Sequence, residues 1–304
     1  MTGNKNEPQA ASPEPQAPSL EPRASGLLLP RNRVLSFSRM PLVMGIVNVT
    51  PDSFSDGGDH FDRAVAIESA LRMEEEGATI IDVGGESTRP GADPVEEEEE
   101  LFRVLPVIEG IRNRSDVAIS VDTMKSAVAV AALRSGADIV NDVTALRHDE
   151  AMTDVIRDAM VPVILMHMRG EPRTMQSHVH YDDLIGEIKG ELASWVGNAV
   201  ARGVNRNSIL IDPGIGFGKT FEHNIEILAR SRELTAIAPM VMGASRKAFI
   251  GHLIARGKGA SRAAGSLAAV AAAVMSGAAI VRVHDVRETV DFLRVFTPVV
   301  EGMS

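Results

Sequence analysis

Eight short apolar runs in this sequence end at or beside residues that hydrogen-bond or carry charge: Asn48, Asp82, Asp122, Asn141, His167, Asp212, Ser245 and Arg282. One such end means little, because every strand must stop at something polar. Three aspartates and two asparagines brought to a common mouth would line a hydrogen-bonding cavity suited to a small flat molecule with several donors. Cations accompany them. The segment RVHD (282–285) sets Arg282 and His284 two residues apart, on one side of an extended chain. The segment ASRKAF (244–249) adds Arg246 and Lys247 where a helix begins. Together these groups would bind an anion, although any one of them could serve only to pair a neighbouring aspartate.

Two loops look built to close over a ligand. NVTPDSFSDGG (48–58) and GGESTRPGA (84–92) are rich in Gly, Pro, Ser and Asp, long for strand-to-helix connections, and carry Phe54 and Arg89. The plainer alternative is a pair of solvated surface loops. DPGIGFGKT (212–220) resembles a phosphate-binding loop, but that motif needs glycine where Pro213 stands, so it reads as a Gly-rich turn approaching a ligand beside Asp212. His178 and His180 have ligand-like spacing without further ligands to complete a zinc set. The run Glu96 to Glu100 reads as a solvated helix start, and the methionines as core filler.

The elements that must position these residues repeat. GATIID (77–82), GADIVN (136–141) and GAAIVR (277–282) each place Gly-Ala after a helix-like stretch, then a β-branched pair, then a polar residue. Glycine there ends a helix, and an apolar run without alternation reads as a parallel strand buried on both faces. Runs at 42–48, 117–122, 162–167, 208–212 and 240–245 complete eight strands. Helical patterns lie between them at 63–76, 95–113, 125–135, 149–159, 182–202, 222–235, 262–276 and 287–300. Eightfold strand-helix alternation predicts an α/β fold, a single (β/α)8 TIM barrel, rather than an open doubly wound sheet. In such a barrel the active site lies at the C-terminal strand ends.

Composition narrows the chemistry. The 304 residues are 44% hydrophobic and 24% charged, as in soluble globular proteins, with net charge −10. That charge and an aromatic content of 4% argue against nucleic acid. With no cysteine, disulfides, thiolate metal sites and a thiol nucleophile are all excluded. Residues 1–32 are read as a disordered proline-rich tail, and residues 40–300 as the barrel domain. GLLLP (26–30) is too short for a signal peptide, and the Ala-rich stretch at 266–283 is broken at Gly277. A cytoplasmic protein without membrane contact is expected.

The segments NVTPDSFSDGG, IDVGGESTRPGA, ISVDT, IVNDV, LMHM, ILIDPGIGFGK, SRK and IVRVHDV, in this order and spacing, resemble the bacterial dihydropteroate synthases. The likeness spans about residues 40–298 and leaves out the tail. It implies a pterin-binding barrel and a transferase of folate biosynthesis. That enzyme condenses 6-hydroxymethyl-7,8-dihydropterin diphosphate with p-aminobenzoate, with Mg²⁺, giving 7,8-dihydropteroate and diphosphate. It also implies a homodimer and, since sulfonamides mimic p-aminobenzoate, a sulfonamide target.

Carried over position by position, the resemblance implies a pterin pocket of Asp122, Asn141, Asp212 and Lys247, with Val143 and Met166 packing on the ring and Asp82 deeper. Asn48 would help hold Mg²⁺ and the diphosphate, with Thr88 beside it, while Arg282 and His284 bind the diphosphate oxygens. Thr88, Arg89 and Pro90, with Asp52 and Phe54, would form the p-aminobenzoate site, walled by Phe217 and Lys247. Asp122, Lys247, Arg282 and His284 would serve catalysis. One position departs from the pattern: several members carry serine after the SRK lysine, where this chain has Ala248. Two other readings remain: a pterin-binding paralogue without transferase activity, and a methyl-transferring relative. The first should have lost the loops or the Arg-His pair. The second has no need of a diphosphate cluster.

Overall fold

Glycines end the helices as the Gly-Ala repeat requires. Gly77, Gly136 and Gly277 have φ of 105°, 113° and 81°, and each turns the chain from a helix into the next strand. The computed structural model describes residues 26–50, 59–89, 91–171, 173–177, 179–255 and 262–302, without the side chains of 59–62. In chain order the elements are Gly26–Leu29 (β1), Arg33–Ser36 (β2), Leu42–Asn48 (β3), Asp59–Glu75 (α1), Ile80–Gly84 (β4), Glu97–Arg112 (α2) and Ala118–Asp122 (β5). Ser126–Arg134 (α3), Ile139–Asp142 (β6), Met152–Ala159 (α4), Val163–Met166 (β7), Leu184–Ala201 (α5), Ile209–Asp212 (β8) and Phe221–Arg230 (α6) follow. The last are Val241–Met242 (β9), Ala248–Leu253 (α7), Ala263–Met275 (α8), Ile280–Val283 (β10) and Val286–Gly302 (α9).

Strands β3 to β10 form one parallel sheet, in the order β8-β7-β6-β5-β4-β3-β10-β9. A parallel bridge between Ile211 and Met240 joins its two outer strands, and the Ile211 N–H donates to Pro239 O at 3.1 Å. The sheet thus closes into the expected (β/α)8 barrel, with helices outside and an apolar layer between. All eight predicted strands are present; α7 is an additional short helix, and the helix expected over 222–235 is α6 followed by a 3-10 turn. No helix among the described residues is long and apolar enough to cross a membrane.

The boundary of the predicted tail, at residue 32, is corrected. Strands β1 and β2 pair antiparallel from Gly26 to Ser36, turning through Arg31 and Asn32, both at positive φ. Leu27 and Leu29 are buried while Leu28 between them is exposed. They pack against one residue from every barrel strand: Met44, Ile80, Ala118, Ile139, Ile164, Leu210, Val241 and Ile280. The hairpin therefore plugs the N-terminal end of the barrel. Burying each leucine contributes roughly 1.5–3 kcal/mol, which favours order over a disordered tail here. Buried Asp138 at the base of β6 ties the plug down, accepting from Arg31, Arg33 and Arg112. Residues 1–25 of the predicted tail lie outside the described residues.

The acidic helix start is also corrected in part. Glu96 to Glu99 are exposed, as expected, but Glu100 is fully buried and accepts from Lys125 Nζ at 2.5 Å.

Candidate active site at the barrel mouth

The plug layer sets the phase of the barrel interior. Side chains alternate faces along a strand, so positions two and four residues beyond that layer also point inward, at successively higher levels. Two residues on are Ile46, Asp82, Ser120, Asn141, Met166, Asp212, Gly243 and Arg282; four on are Asn48, Gly84, Asp122, Val143, Met168, Gly214, Ser245 and His284. Ten of the predicted site residues occupy these two levels.

His167 has the other parity and leaves the mouth. It is completely buried against the helix layer, where Nε2 meets Glu191 Oε2 at 3.1 Å, Nδ1 meets Lys219 Nζ at 3.0 Å, and the ring stacks on Trp195. Lys219 also donates to the carbonyls of His167 and Phe217, at 3.2 and 2.9 Å. It thereby staples the Gly-rich turn to the end of β7. That turn needs glycine for chain-to-chain approach: at Gly214, with φ +69°, a Cβ would lie 1.9 Å from His167 O. Lys219 was not among the predicted site residues; its place inside a Gly-rich turn after Asp212 was the available signal.

At the lower level Arg282 draws carboxylates together. Its Nε donates to Asp82 Oδ2 at 2.6 Å and its Nη2 to Asp122 Oδ2 at 2.8 Å, while Asn141 Nδ2 donates to Asp82 Oδ2 at 3.2 Å. Asp82 Oδ1 and Ser120 Oγ are buried with no hydrogen bond among the described residues, which leaves polar capacity inside the barrel. Across the gap above Gly243, Asp212 Oδ1 accepts the Gly214 N–H at 2.7 Å. Burial pushes the Asp122 carboxyl up to about 7, against the pull of Arg282. Burial likewise raises Asp212, opposed by the Gly214 N–H. Lys247 is lowered to about 8 by burial and then by the charge of Arg282. Burial works against the charge of Arg282 too, but Asp82 and Asp122 hold it above its ordinary value.

One wall is apolar. Val143 and Met166 cluster with Met124, Met168 and Met175, against Phe217, whose ring carries Lys247 Nζ 4.2 Å above its centre. Met124, Met168 and Met175 therefore do more than fill the core: they flank the predicted ring-packing residues. On the cationic side His284 is lowered to about 4, by burial and then by Arg246 and Arg282. Arg246 itself is corrected: it pairs with Asp285 and is half exposed, so it does not join the free cations of the mouth.

The second loop is clamped at its stem. Arg103 Nη1 donates to Gly85 O at 2.8 Å, and Lys125 bridges Glu86 to buried Glu100. Beyond the clamp Thr88 is half-buried and Arg89 exposed, its charge contributing to the lowering of Lys247. Asn48 ends β3, level with Gly84. Asp52, Phe54 and Pro90 lie outside the described residues, as does His178; His180 is exposed and pairs with Asp182.

The arrangement is a deep polar floor for a flat, hydrogen-bonding ring, an apolar wall, and a cationic rim. The pterin binding enzyme family matches residues 44–284, the whole span from β3 to His284. The chain belongs to the pterin-binding enzyme family. Among its relatives, a dihydropteroate synthase of Escherichia coli strain K12 is 48% identical over 256 residues, covering 84% of this chain and 90% of that protein. The solved dihydropteroate synthase of Xanthomonas albilineans with 4-aminobenzoic acid superposes with a TM-score of 0.83 at 46% identity, over 88% of this chain and 96% of that one. That of Burkholderia cenocepacia complexed with 7,8-dihydropteroate gives 0.82 at 41%, over 92% and 98%. Within this pterin-binding barrel, Asp82, Asp122, Asn141 and Asp212 lie on the two inner levels, whereas Lys247 stands beside them over the Phe217 ring.

Proposed function

We propose that this chain catalyses the dihydropteroate synthase reaction in the cytoplasm, joining 6-hydroxymethyl-7,8-dihydropterin diphosphate to p-aminobenzoate. The observation that supports the reading is the pair Arg282, a charged guanidinium at the lower inner level, and His284 one level above it, a cation and a neutral ring N–H that together suit a diphosphate. A methyl-transferring relative has no use for that pair, and a paralogue without activity has no reason to keep it. The relatives solved with 4-aminobenzoic acid and with 7,8-dihydropteroate support both ends of the reaction.

Asp212 and Asn141 would hold the amidine-like edge of the pterin, with Met166 and Val143 against its face. The bond from the exocyclic CH₂ to oxygen breaks, and diphosphate leaves with the bonding pair. The ring is left cationic, and Asp122 stands at the level to stabilise it. The lone pair of the p-aminobenzoate nitrogen forms the new C–N bond, and that nitrogen then gives up its proton to the departing diphosphate or to solvent. Such a cation needs no strong base to be attacked. Phe217, Lys247, Thr88 and Arg89 would hold the second substrate, and loop closure would exclude water as competing nucleophile.

Mg²⁺ fits this site as a companion of the substrate. Arg282 is already shared between Asp82 and Asp122, so a diphosphate arriving here would need more positive charge. No cluster of three His, Asp or Glu that could cage a metal exists among the described residues. Asn48 would supply an amide oxygen and the diphosphate the rest, as Mg²⁺ commonly prefers; the ion would neutralise the departing anion.

A homodimer belongs to the same reading, supported by exposed Phe221 and Ile225 on α6, Leu253 on α7 and Met275 on α8. The deciding assay mixes protein, dihydropterin diphosphate, p-aminobenzoate and Mg²⁺ and follows diphosphate release. Release that depends on p-aminobenzoate is expected. Tight pterin binding without release would overturn the reading in favour of a binding paralogue.

A further inference from the structure

Ser245 and His284 face each other across the seam between β9 and β10, at the upper inner level. Ser245 is buried, and its Oγ makes two contacts: it accepts the backbone N–H of His284 at 3.2 Å and lies 3.1 Å from the ring Nδ1 of the same residue. A serine hydroxyl has one proton to give. Among the described residues the only acceptor placed to take it is Nδ1 of His284. Were Nδ1 protonated instead, the buried hydroxyl would have no acceptor there, a loss of about 1–3 kcal/mol.

We infer that Ser245 is a positioning residue that fixes the tautomer of His284, holding Nδ1 as an acceptor so that Nε2 carries the proton and donates to the substrate anion. The surroundings agree with a neutral ring. Burial first, and then Arg246, Arg282 and Lys247, disfavour a further positive charge, opposed by Asp285. A neutral imidazole of the other tautomer would turn a lone pair toward the diphosphate and repel it. The serine thus makes a histidine that cannot easily be charged into a reliable anion donor, and leaves the formal charge to Arg282 and the metal. This assignment rests on the diphosphate reading of His284, but its first test does not.

That test is a long-range ¹H–¹⁵N correlation spectrum of the labelled full-length protein at neutral pH. Eight histidines contribute, so the His284 signals are identified as those missing from His284→Gln. Nδ1 is expected in the pyridine-like range and Nε2 in the pyrrole-like range. The opposite pattern, or an imidazolium, overturns the inference whatever the activity. In Ser245→Ala, KM for dihydropterin diphosphate should rise about tenfold, the loss of one hydrogen bond's worth of order, while KM for p-aminobenzoate moves less than about twofold. Ser245→Thr, which keeps the hydroxyl, should restore both the spectrum and KM. Equal loss in both substrates would indicate a merely structural serine and overturn the inference. A correct tautomer in a protein that releases no diphosphate would instead sink the functional reading alone.

Discussion

Arg282 donates to Asp122 across the barrel at 2.8 Å, although 160 residues separate them in the chain. The same guanidinium holds Asp82 at 2.6 Å, so one planar group sets the spacing of two carboxylates on neighbouring strands. A lysine ammonium lacks the fork to reach both oxygens at once. Arg282→Lys should therefore lower kcat/KM on the order of 10²-fold even though charge is kept. Steady-state kinetics at saturating Mg²⁺ would test this; a loss below about threefold would mean that charge alone matters there.

Acid should weaken the fold through the network behind β7. Glu191 is held down to about 2 by its hydrogen bond with His167 and by Arg169, and His167 is held down to about 4 by burial and Lys219. Both folded values lie below the unfolded ones, so the unfolded chain takes up more protons as pH falls. Stability is thus lost first between about 6.5 and 4 through His167, then between about 4.5 and 2 through Glu191. Glu191→Gln should flatten the second decline in urea unfolding series below pH 4.5. An identical pH profile in the variant would remove Glu191 from the account.

The clamp on the second loop gives a stability prediction. Lys125 stands between Glu86 and Glu100, both shielded from solvent. Lys125→Met leaves two carboxylates facing each other and should cost about 3 kcal/mol in denaturant unfolding, whereas Lys125→Arg should retain most of it. Equal losses in the two variants would show that shape, not charge, makes the clamp.

Ala248 is exposed and opens α7 directly after Lys247, so a serine hydroxyl fits there without displacing anything buried. Ala248→Ser should strengthen p-aminobenzoate binding by on the order of 1 kcal/mol, about a fivefold lower KM. An unchanged KM would exclude a contact between this position and the substrate carboxylate.

Much of this was legible beforehand, for local reasons. The Gly-Ala steps mark helix ends because only glycine takes their positive φ cheaply, and the short apolar runs can only be strands covered on both faces. Asp82, Asn141, Asp212 and Arg282 could therefore be placed toward strand ends: Asp212 ends β8, Asn141 and Arg282 are next to last in β6 and β10, but Asp82 lies in the middle of β4, which runs on to Gly84. His167 could not be excluded by type, because the phase of a strand without alternation shows only once its inner neighbours are known. The plug hairpin escaped for a similar reason: GLLL next to a proline-rich segment looks like its surroundings until eight strand residues close over it.

The sequence by itself determined the barrel, the polar residues toward its mouth and the family they belong to, since these rest on periodicity and on motifs contiguous in the chain. Tertiary structure alone decided which charges remain free. Arg246 is spent on Asp285, Glu100 is buried on Lys125, and Arg282 is shared between two aspartates. Pairing depends on distances between residues up to 200 apart in sequence, as for Arg282 and Asp82, and no local pattern encodes such a distance.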